Sequence, residues 1–499
     1  MLYESTREGN ATLTSAEIVL RGLAQDEGLF IPETIPKLSL HDIDQWKDLT
    51  YQEKAQRILS LFLDDFPKDI LNSCIHHAYN EHTFTHPDIA PLRHINDEIS
   101  VLELFHGPTC AFKDIALQIL PYLLTAAAQL QQDDHTYVIL VATSGDTGKA
   151  ALSGFQNVDK TKMMVFYPEH GVSEIQKLQM ITQEGHNLKV VAVRGNFDDT
   201  QTGVKQIFSN SSLADRLAEE GYRFSSANSI NWGRLVPQIV YYFSSYMDLL
   251  KRNEITLGES INFVVPTGNF GNILAGYFAQ EMGLPIHKLI CAANQNNVLS
   301  DFIKTGIYDR NRTFCRTYSP SMDILISSNL ERLLYLMSNR DATQVKDYMK
   351  GLREQGTYEI QPVLRERIQS LFWSDFSNDA ETIDRIRTTY QNQQYLMDTH
   401  TAVAMDVHHK YQKETHDKRK TIIVSTASPF KFNAAVAKAV LEQDIVDSSN
   451  EITLLAKLSQ EANLEIPLGL KDLDKKAILH KDVCEVTQMQ QVVETFLNL

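Results

Sequence analysis

A single lysine, Lys113, lies in the run ELFHGPTCAFKDIALQIL from Glu103 to Leu120. It follows a Gly-Pro turn, sits beside Ala111 and Phe112, and stands where a helical apolar pattern begins (Ile115, Ala116, Ile119, Leu120). A lysine that enters an apolar wall costs free energy unless its charge is neutralised or used. The chemistry that suits such an amine is Schiff-base formation, in which a desolvated, partly neutral nitrogen attacks a carbonyl. The competing arrangement carries the ammonium out to water on its flexible stem. The choice depends on what else the chain brings to this lysine.

Four further segments have the residue types for anion and cofactor chemistry. In INFVVPTGNFGNILAGYFAQ (261–280), an apolar run ends at Pro266 and two glycines, Gly268 and Gly271, bracket Asn269-Phe270. A helical pattern then starts near Asn272. Glycines at a strand-to-helix turn let N–H groups converge on an anion, with the helix dipole adding partial positive charge. The spacing is not G-x-G-x-x-G, so a dinucleotide fingerprint is not met. In ATSGDTGKAAL (142–152), Thr143, Ser144, Asp146 and Thr147 form a polar loop before a helical stretch. It lacks the Walker A pattern, because Ala150 occupies the hydroxyl position and Thr143 the first glycine. This loop suits a carboxylate or phosphate, or simply caps the helix.

In SSANSINWGRLVPQIVYYF (225–243), Asn228, Ser229 and Asn231 are short donors, and Arg234 begins a helix. An arginine fork is matched to phosphate. In TIIVSTASPFKF (421–432), an apolar run enters a hydroxyl cluster that could hydrogen-bond a heteroaromatic nitrogen without protonating it, or cap the next helix.

The elements that must position these loops are short apolar runs alternating with helical patterns. Strands are expected at Tyr137–Ala142, Lys162–Tyr167, Leu188–Val193, Ile261–Val265, Lys288–Ala293 and Thr421–Val424. Such alternation predicts parallel sheets covered on both faces, with ligands at the carboxyl ends of strands. Residues 1–95 read as mostly helical, and residues 320–400 as a polar, helix-rich insertion.

Composition bounds the answer. The 499 residues suit two or three domains, and 43% hydrophobic with 22% charged residues is ordinary for a globular protein. A net charge of −16 argues against sequence-independent nucleic-acid binding but leaves room for a local basic pocket. The five cysteines (Cys74, Cys110, Cys291, Cys315, Cys484) are scattered, with neither disulfide nor zinc spacing. The pairs His76-His77 and His408-His409 cannot face one metal from a helix and read as surface or structural, so no metal is expected. No apolar run approaches a membrane span, and the N-terminus lacks a signal-peptide layout; the expectation is a cytoplasmic protein that binds no membrane.

Taken together, HGPT-x-AFKD around Lys113, ATSGDTG at 142–148, SANSIN-x-x-R at 226–234 and PTGNFGN at 266–272 resemble the signatures of the threonine synthase family in their usual order. That family lies within the pyridoxal-phosphate enzymes of the tryptophan-synthase-β type. GLA-x-D-x-GLF-x-P from Gly22 to Pro32 resembles the extra N-terminal domain of its longer members.

The resemblance spans most of residues 1–432 and implies an α/β fold, PLP fold type II, with two open parallel-sheet domains. It adds a mostly helical N-terminal domain over 1–95 and a catalytic region over 96–499. Within that region it places a smaller α/β subdomain around 130–245 and the insertion around 320–400. It further implies conversion of O-phospho-L-homoserine and water to L-threonine and phosphate, as monomer or homodimer. A phospho-lyase or a serine/threonine dehydratase on the same scaffold are the alternatives, and a non-catalytic scaffold is disfavoured by the intact lysine.

Carried over residue by residue, Lys113 holds the cofactor aldehyde and shuttles protons. Gly268, Asn269, Phe270, Gly271 and Asn272 bind the cofactor phosphate. Thr426, or in its place Ser428, faces the pyridine nitrogen. Thr143, Ser144, Asp146 and Thr147 surround the amino-acid end of the substrate, and Asn228, Ser229 and Arg234 take its phosphate. Cys110 replaces a frequent leucine, which suggests sensitivity to oxidation.

Overall fold

The computed structural model describes residues 1–499 apart from Ala11 and Ser144. Two open sheets organise the chain. The larger runs Phe372–Phe376, Ile286–Ala293, Ile261–Pro266, Thr421–Ser425, Ile99–Glu103 and Leu92–His94, parallel except for the last pair. The smaller runs Asp482–Glu485, Leu188–Arg194, Thr161–Pro168, Thr136–Ala142 and Tyr222–Ser225, parallel throughout.

The period of two along each strand divides the core. Phe263 and Val265 of the large sheet, and Ile139 and Val141 of the small one, join a single continuous hydrophobic cluster. Their alternate neighbours face outward. Val264 meets the helix Thr399–Thr415, and Val138 and Leu140 meet the helices Phe197–Phe208 and Met489–Leu497. Strands buried on both faces must read as unbroken apolar runs, and the six expected strands are all present.

The N-terminal region has capping boxes at Thr14/Glu17, Ser39/Asp42 and Thr50/Glu53, each opening a helix. It shares the continuous core instead of forming its own. Trp232, fully buried, is ringed edge-on by Tyr3, Phe62 and Phe278. The 320–400 stretch contains four helices, from Leu330–Met337 to Asp379–Gln393, but also contributes Phe372–Phe376 as an edge strand of the large sheet. The tail returns to the small sheet with Asp482–Glu485.

Candidate active site

Each of the five loops singled out above follows a strand. The strands Ile99–Glu103 and Tyr222–Ser225 precede the lysine and arginine loops, and neither is apparent as a long apolar run. The lysine loop is fixed by Asp114, whose two oxygens accept the Thr109 N–H at 2.8 Å and the Thr109 hydroxyl at 2.7 Å. Burial pushes the Asp114 carboxyl up to about 6, against the pull of those two donors. The Phe112 N–H donates to the Thr426 carbonyl at 2.8 Å, which sets the lysine loop against the end of strand Thr421–Ser425. The helix Lys113–Leu117 then begins with the lysine itself.

Lys113 is 12% exposed, and its Nζ lies 3.6 Å from Asp146 Oδ2 and 4.9 Å from the centre of the Phe112 ring. Burial lowers its pKa. Asp146 opposes that shift, while Lys431 and Arg234 reinforce it, and the net shift is downward. The shift is in the direction that favours the neutral amine a nucleophile or base requires.

Asp146 carries the electrostatics of the site. Its Oδ1 accepts from Gln176 Nε2 at 2.7 Å and lies 3.1 Å from Lys431 Nζ; its Oδ2 accepts from the Ser321 hydroxyl at 2.7 Å. Burial alone would raise the carboxyl, but Lys431 and Lys113, with Ser321 and Gln176 donating, hold it well below the usual carboxylate range. A fixed anion with both oxygens engaged is better placed to orient Lys113 than to receive a substrate carboxylate.

The rest of the 142–148 loop is partly devoted to its own shape. Thr143 Oγ1 accepts the N–H groups of Gly145 and Gly148, both at 3.0 Å, which is the capping alternative. Gly145 has φ +142, and a Cβ there would lie 2.5 Å from the Gln176 side chain that holds Asp146. Thr147 is half-buried at the start of the helix Asp146–Phe155. Ser144 lies outside the described residues.

The 266–272 loop forms a cradle. The Gly268 carbonyl accepts from the Ser327 hydroxyl at 2.8 Å, and the Asn269 carbonyl from Asn329 Nδ2 at 3.0 Å. In a trans peptide the N–H points opposite the C=O, so fixing these carbonyls turns the N–H groups of Asn269 and Phe270 the other way. Phe270 is left-handed at φ +64, and the helix Gly271–Glu281 begins directly after it with its first N–H groups unpaired within the helix. Gly268 admits no side chain, since a Cβ would lie 2.8 Å from the Ser321 carbonyl.

A phosphorylated aldehyde cofactor fits these residues. Asn272 Nδ2 is a buried donor with no partner among the described residues, and Lys113 offers a buried, deprotonation-prone amine. Beyond the end of the strand Thr421–Ser425, the Ser428 oxygen accepts the Phe430 N–H at 3.4 Å as a cap, while Thr426 is buried beside the lysine loop.

In the third loop Arg234 is only 4% exposed and lies in the first turn of the helix Trp232–Lys251. One guanidinium nitrogen donates to the Ala227 carbonyl, while Nε is buried and unpaired among the described residues. Burial lowers its pKa to about 10. A desolvated guanidinium with an unpaired donor has the chemistry to take an anion. Asn228 is exposed and Ser229 half-buried nearby. Asn231 has a structural task. It caps the helix through Gly233 N–H at 2.9 Å, and its amide reaches the Val19 carbonyl at 3.0 Å.

Several participants have no local sequence signal. Lys431 is fully buried and also donates to the Thr109 carbonyl at 2.7 Å; its only clue is its place in the fourth loop. Ser321 is held by His400 Nε2, which accepts the Ser321 N–H at 3.1 Å, and His400 Nδ1 is 2.6 Å from Asp398. Lys149 is held by Gln183, and burial with Lys431 and Lys476 nearby lowers its pKa to about 7. Cys110 is 1% exposed with φ +60, and burial pushes its thiol up to about 12. The thiolate that oxidation needs is suppressed, so the expected sensitivity finds no support in this environment. His408 is a buried core residue lowered to about 4, and His409 is exposed.

Comparison with known proteins gives the family. Family models described as threonine synthase N terminus, pyridoxal-phosphate dependent enzyme, and threonine synthase C-terminal match residues 2–79, 88–355 and 401–493. Human threonine synthase-like 1 is 44% identical over 88% of the chain, and the chain spans 60% of that relative's length. Threonine synthase of Schizosaccharomyces pombe is 38% identical over 88% of the chain and 89% of its own length. The crystal structure of PLP-bound threonine synthase from Brucella melitensis is 34% identical, covers 100% of this chain and 98% of its own, and superposes with a TM-score of 0.87. The chain therefore belongs to the threonine synthase family of pyridoxal-phosphate-dependent enzymes.

Proposed function

We propose that the protein is a threonine synthase that uses pyridoxal 5′-phosphate to convert O-phospho-L-homoserine and water to L-threonine and phosphate. The observation that carries the reading is Lys113, buried against Asp146, with the anion cradle of 268–272 and the spare guanidinium donor of Arg234 in the same molecule.

Bound pyridoxal phosphate supplies the electron sink that lets Cα and Cβ of an amino acid release protons. Gly268, Asn269, Phe270, Gly271 and Asn272 would hold its phosphate, Lys113 its aldehyde carbon and Thr426 its ring nitrogen. The engagement of Ser428 as a cap favours Thr426. Lys113 Nζ, freed on substrate entry, would take the Cα proton, give it up again to become a free amine, and then take a Cβ proton. The Cγ–O bond breaks, its electron pair leaving with phosphate, which Asn228, Ser229 and Arg234 receive. Lys113 would return a proton to Cγ, water would add its hydroxide to Cβ while its remaining proton goes to the released phosphate, and the proton first taken from Cα would be restored there. Asp146 keeps the lysine oriented throughout, and Thr143, Ser144 and Thr147 line the amino-acid end.

A second reading, a phospho-lyase, is favoured by the higher identity to threonine synthase-like 1 than to the synthases. Such an enzyme eliminates the same phosphate but releases 2-oxobutyrate and ammonia. The purified protein loaded with pyridoxal phosphate is expected to yield threonine and phosphate in equal amounts from O-phosphohomoserine. Phosphate with 2-oxobutyrate selects the lyase, and no phosphate release refutes both. We further propose a cytoplasmic location. Among the described residues no helix is long and apolar enough to cross a membrane.

A further inference from the structure

Behind the arginine loop lies a hydrogen-bond chain whose direction is fixed at both ends. Asn329 and Arg332 are both 0% exposed. Arg332 Nη1 donates to Asn329 Oδ1 at 2.6 Å, Nε to the Phe30 carbonyl at 2.9 Å and Nη2 to the Ile230 carbonyl at 2.6 Å. The amide of Asn329 then donates from Nδ2 to the Asn269 carbonyl at 3.0 Å and to Ser229 Oγ at 3.2 Å. A Cβ on Gly271 would lie 3.5 Å from Asn329 Nδ2 and 3.9 Å from Ser229 Cβ, so the cradle and the arginine loop meet at this amide.

A guanidinium can only donate and a carbonyl can only accept. The amide of Asn329 therefore has one permitted orientation, set by Arg332 on one edge and by Asn269 on the other. Its N–H occupies a lone pair of Ser229 Oγ, which leaves the hydroxyl proton to be given elsewhere. Phosphate in its dianionic form offers only acceptors.

We propose that Arg332 and Asn329 are positioning residues that make Ser229 a hydrogen-bond donor, and so select an ionised phosphate on the substrate over a neutral hydroxyl. The inference rests on the reading of the 228–234 loop as the substrate-phosphate site. Arg332 also carries the constraint to the N-terminal region through Phe30, which gives that region a part in specificity.

Asn329→Asp is the direct test. It keeps the size and the pairing with Arg332, but its carboxylate accepts from Ser229 and reverses the hydroxyl. With the cofactor-loaded protein, inorganic phosphate binding is measured by titration calorimetry, and KM and kcat with O-phosphohomoserine. Asn329→Asp is expected to weaken phosphate binding and raise KM by about 10- to 100-fold, the worth of one charge-assisted hydrogen bond. The loss should fall on KM more than on kcat.

The separating measurement is the double variant. In a Ser229→Ala background, Asn329→Asp should cause no further loss of phosphate affinity, whereas a general charge effect would persist and overturn the proposal. Unchanged phosphate affinity in Asn329→Asp alone, with Ser229→Ala impaired, also overturns it. If Ser229→Ala itself leaves phosphate affinity intact, the loop reading fails and the proposal with it. Should Asn329→Asp not fold, Asn329→Ala carries the same cycle with a smaller loss of about 3-fold, because the hydroxyl is then merely free to rotate.

Discussion

Replacing Asp146 by Asn tests the electrostatic account of Lys113 most directly. Every partner of the carboxylate is a donor: Gln176 and Lys431 on Oδ1, Ser321 and Lys113 on Oδ2. An amide has only one accepting edge. Only the Ser321 hydroxyl can reverse and accept, so the –NH₂ edge must turn toward Ser321 and Lys113. Lys113 then faces an amide donor, with Lys431 and Arg234 still nearby and the Phe112 ring at 4.9 Å as its remaining attraction. A bare ion pair at 3.6 Å is worth about 4.6 kcal/mol at an effective dielectric of about 20, or roughly 3 pH units. Asp146 is shared with Lys431, so a further fall in the Lys113 pKa is expected, smaller than the bare pair alone would give.

The sign is definite, because loss of an anion destabilises the ammonium. In cofactor-free protein, the pH at which Lys113 becomes half-reactive toward an amine-directed reagent should move down, with Lys113→Ala as the blank. The fold should also weaken, by about 3–5 kcal/mol for a buried pair deprived of its anion. For 499 residues the unfolding entropy is about 1 kcal/mol/K, so Tm should fall by about 3–5 °C. An unmoved or raised half-reaction pH would refute the reasoning, whatever happens to Tm.

Three other substitutions follow from the same geometry. Arg234→Met should raise KM for O-phosphohomoserine by about 100-fold or more while sparing cofactor affinity, measured by steady-state kinetics and cofactor titration. Thr426→Asp should shift products from elimination toward transamination by protonating the ring nitrogen; an unchanged product ratio would refute that assignment. Lys149, lowered to about 7 when folded against an unfolded value near 10.4, binds fewer protons in the native state. Its burial therefore costs stability fully below pH 7, and the penalty fades as pH rises toward 10. Lys149→Met should stabilise the protein by about 3 kcal/mol more at pH 6.5 than at pH 9.5, read by denaturant titration.

The parts of the fold legible in sequence were those whose signal is local. The six strands buried on both faces appear as apolar runs, and Lys113 and the 268–272 loop stand at the strand and helix boundaries where glycine and apolar spacing place them. Three other strands lack that signal. Tyr222–Ser225 is an edge strand with an exposed Arg223, Phe372–Phe376 is short and lies among polar helices, and Asp482–Glu485 buries only Cys484. Site residues such as Ser321 and His400 act across the chain. Ser321 meets Asp146 over a separation of 175 residues, and no pattern of spacing encodes such a meeting. The loop motifs that suggested ligand contacts also serve as caps, an alternative open for Thr143 from its sequence but not apparent for Asn231, because one residue type serves both purposes.

The site concentrates cations in a chain whose net charge is −16. Arg234, Arg332 and Lys431 are 4%, 0% and 1% exposed, and the buried carboxylates beside the lysine cluster are Asp114 and Asp146. Desolvated cations without matching anions oppose folding, so their cost must be offset by the surrounding structure or by a ligand. The structure offsets part of it with carbonyls at the ends of distant elements: Phe30 and Ile230 for Arg332, Ala227 for Arg234 and Thr109 for Lys431. Phosphate groups would offset the rest, so anion binding and fold stability are linked. The acidic exterior does not counteract this, because charges beyond a Debye length of about 8 Å are screened while those in the buried pocket are not. The N-terminal region enters the same balance. Leu20 and Val19 hold Ser225 and Asn231 at the base of the arginine loop, and Phe30 holds Arg332. The N-terminal region thus supports the loop that carries Arg234 and holds Arg332 directly.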